Sequence, residues 1–428
     1  MAPPNTPQRR RTAPGPPKGH CSHARTGSQI RAYRDVVADP QPDVPVTDVT
    51  EARHLFPATA DRCYFNTAAV GLASHALART YHDAVDEWVT DGLDFARGEQ
   101  AANDARAQAA RLMGADPADV ALIPSMSSAA GLVAAQFGTA AAGDNVVIGE
   151  REYSSNHFPW RQLERKGYDV RQVPFRHGGL EPEDVEQRVD AGTRLVAFSG
   201  VQSATGHRSD IASISTLARE VGAIVFVDGS QMVGAVPVSE ALRHVDVLAT
   251  ADHKFLLNAG RGMGYCFLSR AAQERFTPIN AGWRAGADPF TSYFGPTMEL
   301  SPTASRFDSS ISWLAAFGNR TSLGIFDQFG PDTIFSRNRD LEELMRGALT
   351  GAGWEPVALS EENRSTIVRV PLGDLEPARV VRALSEQRVI ASARDGALRF
   401  SVHLYNHEDD IHQLVAILGS LGRAPAQR

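Results

Sequence analysis

The stretch TADHKFLLNAGRGMG, residues 250–264, places Lys254 inside a mostly apolar run, directly after His253 and just before a glycine-rich turn. An exposed lysine needs no explanation. One that enters a buried, strand-like stretch must either reach its ammonium out to water or do chemistry. Upstream, VFVDGSQMVG (225–234) ends an apolar run on Asp228. Open α/β sheets bind ligands at the carboxyl ends of their strands; taken alone, an Asp-Gly pair reads more readily as a turn or helix cap. The following apolar run, VDVLAT, leads into His253 and Lys254. A buried carboxylate can keep a pyridinium nitrogen protonated, and a lysine can form an imine with an aldehyde. Together these are the least a protein must supply for pyridoxal 5′-phosphate (PLP) chemistry.

Such a pair needs a frame that brings strand ends together. DVALIP, NVVIGE, TRLVAFSG, AIVFVDG and VDVLAT read as strands, with helices such as DIASISTLAREVG between them. This alternation predicts an α/β protein with a mostly parallel sheet covered on both faces. Beyond residue 300 the pattern changes. SRNRDLEELMRGALTGAG reads as a helix, STIVRVPL as a strand, EPARVVRALSEQ as a helix and ALRFSVHLY as a strand, which suggests a smaller α+β domain. Residues 1–45 begin MAPPNTPQRRRTAPGPPKGH; they are rich in Pro, Gly and Arg and read as a disordered tail without the apolar core of a secretory signal. The expected division is a tail (1–45), an N-terminal segment packing with the small domain (46–65), a large PLP-binding domain (66–298) and a small C-terminal domain (299–428).

The bulk numbers exclude other classes. Across 428 residues, 43 Lys and Arg face 50 Asp and Glu, for a net charge of −7. That argues against a general nucleic-acid binder. No run approaches the ~18 apolar residues of a membrane span. Cys21, Cys63 and Cys266 lie far apart, with no CxxC pair and no disulfide framework, which suits a reducing cytoplasm.

The DGSQ and HK motifs, in this order, resemble the fold-type-I PLP enzymes of aminotransferase class V, the cysteine-desulfurase-like group. The resemblance runs through nearly all of the chain after the tail. It implies a large domain with a seven-stranded mixed sheet, a smaller α+β domain, and a homodimer with sites at the interface. It matches Lys254 to the cofactor-binding lysine that also serves as base and acid at the substrate Cα, Asp228 to the pyridinium partner, Gln231 to a glutamine near the ring oxygen, and His253 to a phosphate-contacting histidine. IPSMSSAAGLVAA resembles the family's phosphate loop, with Ser127 and Ser128 in place of threonines; a serine-rich turn is otherwise a common helix cap. LRFSVHLYNHEDDI matches Arg399 to the arginine that clamps an α-carboxylate, a job suited to a planar guanidinium. YFNTAAVG resembles the segment that folds over substrate, which makes Asn66, Thr67 and Ala68 candidate contacts, although the same residues could form only a turn. INAGWRAGADPFTSYFG (279–295) is a candidate to reach the other subunit's site, and Arg261 is placed equally well at the phosphate, at a partner subunit or on the surface.

Departures from the family carry the functional information. Tyr153, in EREYSSNHFPW, stands where desulfurases place a ring-stacking histidine; a phenol can stack but is a poor proton shuttle near neutral pH. Nearby His157 reads as a local structural histidine. Ser203 replaces an asparagine near the ring oxygen. Ala251 replaces a serine, with Thr250 or a partner subunit as candidate sources of the lost hydroxyl. Most telling, VIASARDGALRF, where desulfurases carry a nucleophilic cysteine before the arginine, is short and cysteine-free. Cys63 and Cys266 read as small core residues, so sulfur transfer to a protein thiolate is not expected.

The leading expectation is therefore a β-eliminating C–S lyase acting on an S-substituted cysteine. It resembles C–S lyase-type enzymes that act on S-glycosyl-cysteine intermediates of lincosamide biosynthesis, or in ergothioneine biosynthesis. Decarboxylation coupled to oxidative deamination is the alternative on the same substrate class, with Tyr64, Phe65, Tyr153 and Trp160 as candidate aromatic walls. Epimerisation of the isopenicillin N type is a third, and would need Tyr153 or His157 as a second acid/base. A non-enzymatic PLP-fold scaffold would be favoured by loss of Lys254 or Asp228, and both are present. No metal site is expected; the partners expected are a small amino-acid substrate and a second copy of the chain, not nucleic acid or membrane.

Overall fold

The computed structural model describes residues 46–421 except Ala259; the expected tail lies outside the described residues. Alternating apolar runs and helices assemble a seven-stranded sheet of order β2-β8-β7-β6-β5-β3-β4. Its strands are β2 (Val120–Ile123), β3 (Asn145–Gly149), β4 (Asp169–Val173), β5 (Thr193–Ser199), β6 (Ile224–Asp228), β7 (Val247–Ala251) and β8 (Gly264–Leu268). Each pairing is parallel except those of β8, which runs against both β7 and β2. The sheet is thus mixed and mostly parallel, as expected of PLP fold type I. β2, β3, β6, β7 and β8 are buried along their whole length, which is why they read as nearly continuous apolar runs. β4 is one of the two edge strands, β2 being the other; its sequence, DVRQV, is mostly polar and only its last residue is buried, so no apolar pattern marks it in the sequence.

The C-terminal third builds a second sheet, β11-β12-β9, from β9 (Ile367–Pro371), β11 (Ser392–Arg394) and β12 (Ala397–Ser401), all antiparallel. A parallel pair joins β1 (Cys63–Tyr64) to β10 (Val389–Ile390). Cys63 and Phe65 share a core with Val368, Leu384, Val389, Phe400 and Leu414, so the chain just before Asn66 is packed into the C-terminal elements. Two boundaries differ from the sequence reading. The helix expected from Ser336 starts at Pro331, because Gly330 (φ +79°) ends the preceding helix and proline fits a first helical turn. The strand expected to run to Tyr405 stops at Ser401, because Asn406 Oδ1 accepts the His403 N–H at 2.9 Å and closes a turn there.

Candidate active site

β2, β3, β5, β6 and β7 all run the same way, so the segments that leave their carboxyl ends meet at one edge. Ile123 of β2 and Ala251 of β7 both pair with Gly264, which sets the two strand ends level. From this edge emerge Ser125–Ser128 after β2, Tyr153 after β3, Ser203 after β5, Asp228 on β6, and His253 and Lys254 after β7.

The Lys254 turn is built tightly. Asp252, 1% exposed, accepts from the side-chain amides of Asn258 (3.2 Å) and Asn319 (3.0 Å). The Gly71 N–H donates to the His253 carbonyl at 2.9 Å, and a Cβ on Gly71 would lie 2.4 Å from the Lys254 carbonyl oxygen, so only glycine allows this approach. The Lys254 Nζ lies 5.4 Å from the centroid of the Tyr153 ring. Burial pushes the Lys254 ammonium down to about 8; the Asp228 carboxylate acts against that shift, and the Arg399 and Arg261 charges add to it. Asp228 is 5% exposed and accepts the Ser230 N–H at 2.8 Å.

Three elements converge on Ser203. Gln231 Nε2 donates to Ser203 Oγ (2.9 Å) and to the Ala68 carbonyl (3.0 Å). Arg399 Nη1 donates to the Ser203 carbonyl (2.8 Å) and Oγ (3.1 Å), while its Nε donates to Ser392 Oγ (3.2 Å). Arg399 is 2% exposed, and burial pushes its guanidinium down to about 10. Gln231 Oε1 and Arg399 Nη2 are buried and have no hydrogen-bond partner among the described residues. Both side chains are therefore held by some of their polar atoms and open at another.

The segment 66–68 is stitched to β12. Asn66 bridges to Ser401, the Ala68 N–H donates to Ser401 Oγ (2.9 Å), and the Thr67 and Tyr405 hydroxyls share a 2.5 Å hydrogen bond. Ser125 caps the helix Met126–Ala134, its hydroxyl 3.1 Å from that of Ser127 and 2.8 Å from that of Ser128. His253 Nε2 lies 3.4 Å from Arg261 Nη2.

Several residues of this edge carry no chemical label in the sequence reading. Ser125 is one, and Pro-Ser before an apolar helix was its available signal. Glu152 is another. It is 8% exposed and accepts from the Ser199 N–H (2.9 Å), the Ser199 hydroxyl, Gln202 Nε2 (2.8 Å) and Asn156 Nδ2 (3.3 Å). Burial pushes its carboxyl up to about 7, against these hydrogen bonds. Some expected neighbours are not at the edge. Trp160 and Phe65 are fully buried core, Trp160 packing edge-on against Phe226, and so are not open walls. Thr250 is fully buried with its hydroxyl turned to the Gly229 and Ala251 carbonyls, so it is no substitute for the missing serine. Among the described residues no helix is long and apolar enough to cross a membrane.

Residues 94–414 match the family model "Aminotransferase class-V". A probable cysteine desulfurase of Methanothermobacter thermautotrophicus is 25% identical over 74% of this chain and 83% of its own length. The apo structure of a cysteine desulfurase from Thermococcus onnurineus superposes with a TM-score of 0.74 at 20% identity, covering 87% of this chain and 97% of the other. The cystine C–S lyase C-DES, solved with its product cysteine persulfide, gives 0.76 at 19%, covering 85% and 99%. Those structural likenesses concern the fold; the family match spans three quarters of the sequence, and the chain belongs to aminotransferase class V, as a PLP-dependent enzyme.

Proposed function

We propose that this enzyme is a β-eliminating C–S lyase that cleaves an S-substituted L-cysteine, with an S-glycosyl cysteine as the favoured class, to a thiol, pyruvate and ammonia. The observation that carries this reading is the route to Arg399. Between β11 and β12 the chain turns through Asp395 (φ +49°) and Gly396 (φ +73°) alone, a tight hairpin rather than a loop long enough to present a thiolate. Cys63 and Cys266 are buried, and burial pushes both thiols up to about 12. With no thiolate among the described residues to accept sulfur, departure of the sulfur as a free thiol asks least of the protein. The glycosyl preference and a role in secondary metabolism rest on the resemblance to lincosamide and ergothioneine enzymes, and the cytoplasmic reading rests on the widely spaced cysteines.

The recess suits PLP. It offers an amine with a lowered pKa, a buried carboxylate, two buried polar atoms awaiting partners, and a helix start lined with hydroxyls. Lys254 would hold the cofactor, Asp228 its ring nitrogen, Gln231 and Ser203 its ring oxygen, Tyr153 its ring face, and Ser127, Ser128 and His253 its phosphate. When bound, PLP supplies an electron sink conjugated to the substrate Cα. Arg399 grips the substrate carboxylate through its open Nη2 edge, with Asn66, Thr67 and Ala68 closing over the substrate. Lys254 Nζ takes the Cα proton and later returns a proton. The balance is one R–S–cysteine zwitterion plus water giving RSH, pyruvate and ammonium.

We infer that the working form is a homodimer, because one face gathers exposed apolar groups. Trp88 (59% exposed) and Phe290 (50%) lie by Phe95, Trp283 and Trp313, and solvated monomers rarely keep such patches. The reaction is tested by product analysis of the PLP-loaded protein with S-glycosyl and S-alkyl cysteines under air. Free thiol with pyruvate is the expected result. Carbon dioxide with an S-linked aldehyde, or an inverted amino acid with no cleavage, would replace it by oxidative deamination or epimerisation.

A further inference from the structure

A second recess lies away from the sheet edge. It is a cavity of about 460 Å³ between the segment 235–237, the helix Pro331–Gly351 and residues 361–366, with Arg208 on its wall. That volume falls within the roughly 300–1,000 Å³ typical of ligand pockets. It shares no lining residue with the site around Lys254.

Its charges are arranged unusually. Arg208, Arg339 and Arg364 line it together with Asp332, Glu343 and Glu361. Among the described residues no ion pair within 4.0 Å joins any of these arginines to any of these acids. The fourth acid on the wall, Glu342, is buried and paired with Arg346, and the Arg364 charge also acts on it without an ion pair. Arg208 and Arg364 make no side-chain hydrogen bond within the described chain. Arg364 Nε is itself buried without a partner, and so is the hydroxyl of Thr366, which is 2% exposed. Burial lowers the Arg208 guanidinium, with no neighbouring acid acting against it. Asp332, Arg339, Glu343 and Glu361 reach water at the mouth of the cavity, while the buried Arg364 Nε and Thr366 hydroxyl beside them are free to take a polar guest.

We propose that this cavity is a binding site for a free amino acid, its carboxylate on Arg208, Arg364 and the Thr366 hydroxyl, its ammonium facing Glu343 and Glu361. A bidentate guanidinium suits the carboxylate. The site is tied to the active-site edge by one turn. Val201 bridges to Arg208, Gly206 N–H donates to the Gln202 carbonyl (2.9 Å), and Ser365 Oγ donates to the Gly206 carbonyl (2.7 Å). Ser203, the acceptor for Arg399 and Gln231, sits in that turn. An amino acid in the cavity therefore braces the residues that hold Ser203.

The test is thermal unfolding of the PLP-loaded protein with each of the twenty protein L-amino acids, read beside the visible absorbance of the bound cofactor. An amino acid that engages the cofactor changes the absorbance. A ligand of the second cavity raises the melting temperature and leaves the absorbance alone. At least one such amino acid is expected, with acetate inactive at the same concentration. Arg364→Gln and Glu343→Gln should each weaken its binding about tenfold or more. The proposal falls if no amino acid behaves this way, if the rise survives both substitutions, or if acetate reproduces it. The readout does not depend on turnover, so it is independent of the lyase assignment.

Discussion

The two recesses on either side of the 201–208 turn are finished to different degrees. At the sheet edge, Arg399 is fixed by three hydrogen bonds and Gln231 by two, and each keeps one buried polar atom open. In the second cavity, Arg208 and Arg364 have no such anchors. The difference reflects two demands. Bond-breaking chemistry needs groups held in place before substrate arrives, because misplacement of the order of 1 Å costs rate. Reversible capture of a small zwitterion tolerates side chains that settle on the ligand, at some cost in affinity.

The comparison breaks most visibly at Lys254. Lys254→Ala should abolish the imine absorbance and lower turnover by at least ~10⁴-fold; turnover at the wild-type rate would remove Lys254 from the chemistry. The amine must be unprotonated to react. Because its pKa is pushed down to about 8 from 10.5, PLP uptake by the apo protein should rise with pH and level off above about 8. A rate still climbing toward 10.5 would show an undisturbed ammonium.

Next in size is Arg399→Lys. A lysine keeps the charge but cannot reproduce the three anchoring bonds and an open bidentate edge. A fall of about 10²- to 10³-fold in kcat/KM is expected, and a loss smaller than fivefold would mean the anchors are dispensable. Glu152 sharpens the comparison by stability. Its folded pKa of about 7 lies above the ordinary 4.5, so the native state binds the extra proton between those values. Its stabilising share is fully present below pH 4.5 and is lost as pH rises to about 7, an effect on the order of 3 kcal/mol. Urea unfolding of Glu152→Gln against wild type across that window should show wild-type stability falling relative to the variant's as pH rises; parallel curves would mean the carboxyl titrates normally. The smallest effect belongs to Ser203→Ala, which removes the hydroxyl shared by Arg399 and Gln231. About a tenfold drop in kcat/KM is expected, with retained PLP binding. An unchanged kcat/KM would show that the Ser203 carbonyl alone positions the arginine.

Legibility in the sequence followed range. Asp228 and Lys254 could be singled out because each ends or follows an apolar run, a pattern set by neighbours along the chain. The buried parallel strands, the edge strand β2 included, were legible for the same reason, whereas β4, an edge strand half in water, was not. The carboxylate-binding candidate Arg399 needed the family resemblance to be noticed at all. Nothing in the spacing of Ser203, Gln231 and Arg399 joins them, and nothing local marks Glu152 as a buried acid.

By itself, then, the sequence determined the α/β frame, the presence of a lysine and a carboxylate suited to PLP, and the lack of a thiol before Arg399. Those properties depend on residue type and on burial along a few consecutive positions. Only the tertiary structure decided that the Arg399 approach is a two-residue hairpin, that Trp160 and Thr250 face the core, and that Arg208 and Arg364 line one cavity with acids to which they form no ion pair. Those outcomes depend on contacts between segments up to hundreds of residues apart, and such pairings are selected by the packing of the whole chain rather than by any local pattern.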